Sequence, residues 1–296
     1  MENFVILDTF PEFLRFWKKV KDKNIKEQVE LWEKDYMNEF PELFEKQKRD
    51  YKEQGIDWRK IAEKRIFPFI NKNVKDIIET HELLIKILSK IYKTSVEVSK
   101  EIFDMKFSLN CVIYVGIGCG AGWVTDYEGK ASILFGIENI VECGWTDEES
   151  LSGLITHEIG HVVHRILRKK NNKKWGESPY FQLYCEGFAQ RFVELVFKKP
   201  FFYQAKGDDK WFEFCKNNIK FLAEKFIEHV SQGKSLNIFF GSWFNIKGHK
   251  ETGYFLSTLV IRILEEEYNL KQIAVMNEKE IKEKIQVSLL SLKNYR

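Results

Sequence analysis

The chain has 296 residues, 44 % apolar and 31 % charged, which argues against wholesale disorder and leaves room for one large domain or two modest ones. Lys and Arg number 47 against 44 Asp and Glu, a net charge of +3, so the basic excess that marks a nucleic-acid binder is missing. The five cysteines, an odd number with no C-x-x-C pair, argue against a disulfide framework; together with an N-terminus that lacks signal-peptide character, they point to a cytoplasmic protein.

Residues 1–102 read as a helical N-terminal region. Thr9 and Glu12 have capping-box spacing, with Pro11 in the first turn that follows. Pro41 divides a charged helical stretch running from Ile25 to Tyr51. A further amphipathic helix spans Asn73 to Ile91, with Val74, Ile77, Ile78, Leu84, Ile85 and Leu88 at helical spacing. Near Phe103 the pattern turns β-like, predicting strands at about 107–117, 121–126 and 131–141. Phe107 to Thr125 is uncharged and long enough to be weighed as a membrane span. Its four glycines and single leucine suit a buried strand and a bend better. VGIGCGA contains G-x-G-x-x-A, but strand and turn sequence follows instead of a helix, so no dinucleotide site is expected. From residue 146 onward the chain is again mostly helical. The expectation is an α+β fold, mostly helical, with a small mainly antiparallel sheet. Residues 103–296 would form a second domain, the sheet at 103–145 and helices at 146–296.

The run TDEESLSGLITHEIGHVVHRILRKK carries the chemistry. Thr146 and Glu149 form a capping-box pair, acidic residues lead, and Arg165, Arg168, Lys169 and Lys170 close the helix, as its dipole favours. Mid-helix stands His157-Glu158-Ile159-Gly160-His161, an H-E-x-x-H motif. At about 100° per residue, the two histidines lie roughly 40° apart and one turn from each other, so both rings can reach one metal ion. Glu158 is placed to act on a ligand of that metal. Leu154, Ile155, Ile159, Val162 and Val163 surround the motif and imply burial, where histidines and a carboxylate need partners. Gly160 suggests close approach of a neighbouring backbone, or a simple packing contact. His164 points the same way as His157 and reads first as a buried histidine with a satisfied partner.

Two imidazoles suit zinc, and a hydrolytic zinc needs a third protein ligand. Position 167 is Leu where a metzincin carries histidine, which excludes that class. Glu186, in the apolar helix SPYFQLYCEGFAQRFVELVFKKP, is favoured over Glu177 and Glu194. A carboxylate between Tyr184 and Phe188 is costly unless it meets a cation. Ser178 and Pro179 start this helix and Pro200 closes it.

HEIGH followed by CEGFAQRF resembles the gluzincins, the thermolysin-like zinc peptidases, and within them predicted zinc-dependent proteases with an E-G-[LF]-A helix. The resemblance covers roughly residues 105–270. It implies a zincin-like fold with one zinc per chain, held by His157, His161 and Glu186, and Glu158 as the general base that takes a proton from a metal-activated water. It also implies a strand lining a substrate cleft, here ASILFGIEN, and a Tyr or His that stabilises the oxyanion; Tyr254 is the first candidate and His249 the second. Two positions depart from the pattern. Gln190 stands where relatives usually carry an acidic residue that orients a ligand histidine, and Ser257 stands where a second glycine is often found. The expected partner is a peptide or protein substrate, with no nucleic acid and no membrane. The rival expectation is a non-catalytic protein, a binder or scaffold, that keeps a vestigial zinc site.

Overall fold

The computed structural model describes residues 4–294. In chain order the elements are β1 (Phe4–Asp8), α1 (Phe10–Val20), α2 (Ile25–Leu31), α3 (Pro41–Glu53), α4 (Trp58–Ile61), α5 (Phe67–Phe103), β2 (Leu109–Tyr114), β3 (Gly122–Tyr127) and β4 (Lys130–Gly136). Then follow α6 (Ile137–Glu142), α7 (Glu148–Lys170), α8 (Pro179–Phe197), α9 (Trp211–Asn217), α10 (Ile219–Ser231), α11 (Asn237–Phe240), α12 (Gly253–Glu265), α13 (Leu270–Ala274) and α14 (Glu278–Lys293). The fold is α+β, mostly helical with one small sheet, as the sequence predicts.

The chain divides into two compact units. One comprises the residues up to Lys90 with Ser108–Leu151; the other comprises Ile91–Phe107 with the chain from Ser152 onward. The sheet therefore falls in the same unit as the N-terminal helices, whereas the sequence grouped it with the C-terminal ones.

In the first unit the sheet order is β1-β2-β4-β3. β1 pairs with β2 in parallel, β2 with β4 in parallel, and β3 with β4 antiparallel. The sheet is thus mixed, not mainly antiparallel. The parallel pairs are β2 with β4, both expected as strands, and β1 with β2, where β1 is Phe4–Asp8 in a stretch expected to be helical. Five residues carry too little periodicity to identify a strand, and Val5 to Asp8 is held extended by Asn110 to Ile113. Thr9 does not cap α1: its buried hydroxyl lies 2.6 Å from the Tyr36 hydroxyl and donates to the Ile113 carbonyl. Asp8 instead accepts from the Phe10 amide. β4 stops at Gly136, not 141, because Ile137, Ile140 and Val141 share one face of a helical turn and are buried together. β4 is flanked on both sides, so the edge strands are β1 and β3.

The glycine-rich run after β2 is tied by a carboxylate. Glu138, on α6, accepts from the amides of Gly116 (2.8 Å) and Gly118 (3.0 Å). Burial pushes its pKa up to about 7, even against those two amides. The run leads into β3, as expected for a bend that is not a dinucleotide turn. Among the described residues no helix is long and apolar enough to cross a membrane, and the five cysteines are free thiols.

Two long helices dominate the second unit's candidate site. α7 begins one residue later than a Thr146 cap would give, because Asp147 accepts from the amide (3.0 Å) and hydroxyl (2.8 Å) of Ser150. α8 starts as predicted: Ser178 accepts from the Phe181 amide, and Pro179 takes the first position. It ends at Lys198, whose left-handed φ of 56° turns the chain out ahead of Pro200. α8 packs chiefly on α12, and α10 and α8 also pack on α14.

Candidate metal centre

Two glycines set how closely the helices approach. A Cβ at Gly160 of α7 would lie 2.9 Å from the Ala189 Cα and 3.1 Å from its carbonyl oxygen, so the close approach inferred from sequence is to the backbone of α8. A Cβ at Gly187 would overlap the Ser257 carbonyl of α12. Three helices thus meet with almost no side-chain spacer around His157, Glu186 and Tyr254.

The result is a convergent cluster. Glu186 Oε2 lies 3.1 Å from His157 Nε2 and 3.3 Å from His161 Nε2. One ligand atom from each of these residues lies within 4.8 Å of the others, and they are the one such group of three or more among the described residues. His157 is buried, while His161 and Glu186 are half-buried. Burial acts to raise the Glu186 carboxyl. His161 and the contacts with both rings outweigh it and hold it well below the usual carboxylate range. Of the competing glutamates, Glu177 is exposed, and Glu194 is committed to Arg191 and to Arg262 (2.7 Å).

Glu158, next to His157, is 5 % exposed. Burial pushes its carboxyl up to about 7, opposed by His157 and reinforced by Glu186. Tyr254 packs edge-on against His157, ring centroids 5.4 Å apart. Burial first, then the Glu186 carboxylate, pushes its phenol well above the ordinary value. Tyr254 therefore keeps its proton and is a hydrogen-bond donor.

His249 is not gathered with these residues by any contact among the described ones. Its Nδ1 lies 2.6 Å from Asp208 Oδ2, and its ring stacks on Phe214. His164 has the buried role the sequence favoured: Nε2 lies 3.1 Å from the Tyr184 hydroxyl and the ring stacks on Phe188 at 4.2 Å. Burial, with Arg168 nearby, holds its pKa well below the ordinary value, so it is neutral. Gln190 donates to the Phe201 carbonyl and accepts from Gln204. Nδ1 of His157 is buried without a hydrogen-bond partner among the described residues, and Gln190 is engaged elsewhere.

Two residues of this neighbourhood carried no sequence signal. Tyr203 lies against His157, centroids 5.9 Å apart, from a short turn after α8. Glu251 precedes α12 in a segment whose spacing suggests only a loop. No family model, no curated protein and no solved structure matches this chain.

Proposed function

We propose that the protein is a zinc-dependent peptidase. One observation carries this reading: a single carboxylate oxygen from α8 sits within 3.3 Å of the Nε2 atoms of both histidines of the H-E-x-x-H helix. Two imidazoles and a carboxylate form a donor set suited to zinc and leave a coordination position open, as hydrolytic sites require. The residues fit the ion in another respect. A half-buried carboxylate shared by two rings is a costly arrangement unless a cation, or a proton on a ring, balances it.

His157, His161 and Glu186 would hold the metal. When bound, zinc supplies Lewis acidity, which polarises a carbonyl and eases deprotonation of water at neutral pH. Glu158, adjoining the cluster but outside it, takes a proton at its carboxylate and passes it to the leaving amine. Tyr254, protonated and beside His157, donates a hydrogen bond to the developing oxyanion, a contribution of about 3–4 kcal/mol in comparable sites. Tyr254 is preferred to His249 for this role, since His249 is engaged with Asp208 and Phe214.

The test is elemental analysis joined to turnover. Protein purified without added metal should hold about one zinc per chain, and chelation should abolish cleavage of a peptide library, with zinc restoring it. Zinc retention without cleavage would favour the non-catalytic alternative, and a metal-free protein would end both readings.

A further inference from the structure

The segment that leads from Ile246 into α12 is strained and yet ordered. Lys247 and Glu251 have left-handed φ values of 53° and 55°, a conformation costly for residues with a Cβ. Such backbone persists only where its surroundings hold it. Within the segment, His249 and Ile246 exchange backbone hydrogen bonds, and the Tyr254 amide donates to the Glu251 carbonyl at 3.2 Å.

Further support comes from the chain at the start of α9. Asp208 Oδ2 lies 2.6 Å from His249 Nδ1, which carries the hydrogen and donates it to the carboxylate. Asp208 Oδ1 accepts from the Lys210 amide at 3.2 Å, so the carboxylate is itself oriented. The His249 ring stacks on Phe214, centroids 4.1 Å apart. Trp211 is buried and donates from Nε1 to the Lys250 carbonyl at 2.7 Å. Trp211 and Phe212 also pack on Phe255, in the first turn of α12, at centroid distances of 6.2 Å and 5.8 Å.

His249, Lys250 and Phe255 are thus all tied to one short stretch of chain, Asp208 to Phe214. Tyr254 stands between those tied points, and its ring meets His157 edge-on at 5.4 Å. A donor to a developing oxyanion is effective only when it is held in place before the charge appears.

We propose that Asp208 and Trp211 are positioning residues: through His249 and Lys250 they hold the strained segment ahead of α12 and so keep the Tyr254 phenol against His157. This rests on the role given to Tyr254 above and deepens it. His249 then serves the site as a tie and does not touch the substrate.

The experiment uses the full chain labelled with 3-fluorotyrosine, in wild type and in two variants. Asp208→Ala removes the acceptor of His249, and Trp211→Phe keeps a ring on Phe255 while removing the donor to Lys250. The fluorine resonance of Tyr254 is assigned by its loss in Tyr254→Phe. Tyr184 is the internal reference, since its hydroxyl is bonded to the Ile273 carbonyl. Both variants should shift or broaden the Tyr254 line and leave the Tyr184 line where it is, a result that general loosening of the fold would not give. In peptide cleavage each variant should lower kcat by up to about a hundredfold, the effect of a misplacement on the order of an ångström, with KM and zinc affinity unchanged. The same substitutions should cost almost nothing further in a Tyr254→Phe background, because residues that act through one group are not additive.

An unmoved Tyr254 line, a Tyr184 line that moves with it, or a loss of kcat that persists in Tyr254→Phe would each overturn the proposal. The last result would make His249 a group that acts on the substrate directly. The resonance needs neither zinc nor turnover, so the two ideas fail separately. A shifted Tyr254 line in a protein that cleaves nothing defeats the peptidase reading alone, and intact turnover with an unmoved line defeats only this one.

Discussion

Gly187 lies directly against the backbone of Ser257, with no space between them for a Cβ. Glu186 precedes that glycine on α8, and Tyr254 stands one turn before Ser257 on α12. The contact therefore fixes the spacing between the proposed third ligand and the tyrosine beside His157. Gly187→Ala should cost about 1–3 kcal/mol, as overpacking against backbone does, because neither helix can yield without disturbing the other contacts. Thermal melting of the variant checks the stability loss, and a matched fall in zinc affinity would show that the spacing matters to the site.

Removing the proposed base should separate chemistry from binding. Glu158→Gln keeps shape and leaves His157, His161 and Glu186 in place. Zinc stoichiometry should stay the same while turnover falls by about a hundred- to ten-thousandfold, the usual range for loss of a positioned base. Side-by-side metal analysis and peptide cleavage read the two effects. Undiminished turnover would remove Glu158 from the mechanism.

Glu186→Ala should act on the metal itself. Partners one step removed from a metal already change affinity by about 10–100-fold, so loss of a ligand should exceed that range. Competition with a chromophoric chelator measures it. The same variant should also lose the rise in melting temperature that added zinc gives wild type, since a ligand stabilises only the state it binds. Unchanged affinity would exclude Glu186 as a ligand and leave Glu177 or Glu194 to be tested.

Glu138 predicts a pH dependence of its own. Its pKa rises from 4.5 to about 7 on folding because burial disfavours the charged form. For a carboxyl raised in the folded state, the unfolded chain releases its proton first. The contribution to stability is therefore complete below pH 4.5 and is lost as the pH climbs through 7. The change is on the order of 3 kcal/mol across that window. Urea unfolding of wild type and Glu138→Gln at pH 5 and pH 8 isolates the effect: wild type should lose more stability than the variant between the two. Parallel pH profiles would show that Glu138 is not the titrating group.

The features legible in the sequence are those set within a few residues. The Ser178 and Pro179 start of α8 and the placement of His157 and His161 on successive turns follow from relations spanning at most four positions. Where a side chain has a distant alternative, local relations do not decide its partner. Thr9 matched a capping box, yet its hydroxyl is taken by Ile113, and Asp147 displaced Thr146 as the cap of α7. β1 carries no local strand signal, because its extended form depends on pairing with β2, about a hundred positions later.

The sequence by itself determined the α+β class, the long helices and the two-histidine motif, because local periodicity and capping chemistry specify each without reference to the rest of the chain. The sequence favoured Glu186 over Glu177 and Glu194, and the tertiary structure brings its carboxylate to both histidines. The tertiary structure alone set His249 on Asp208. Those outcomes depend on how closely helices distant in sequence can approach, and Gly160 and Gly187 set that distance by removing the side chains that would hold α7, α8 and α12 apart.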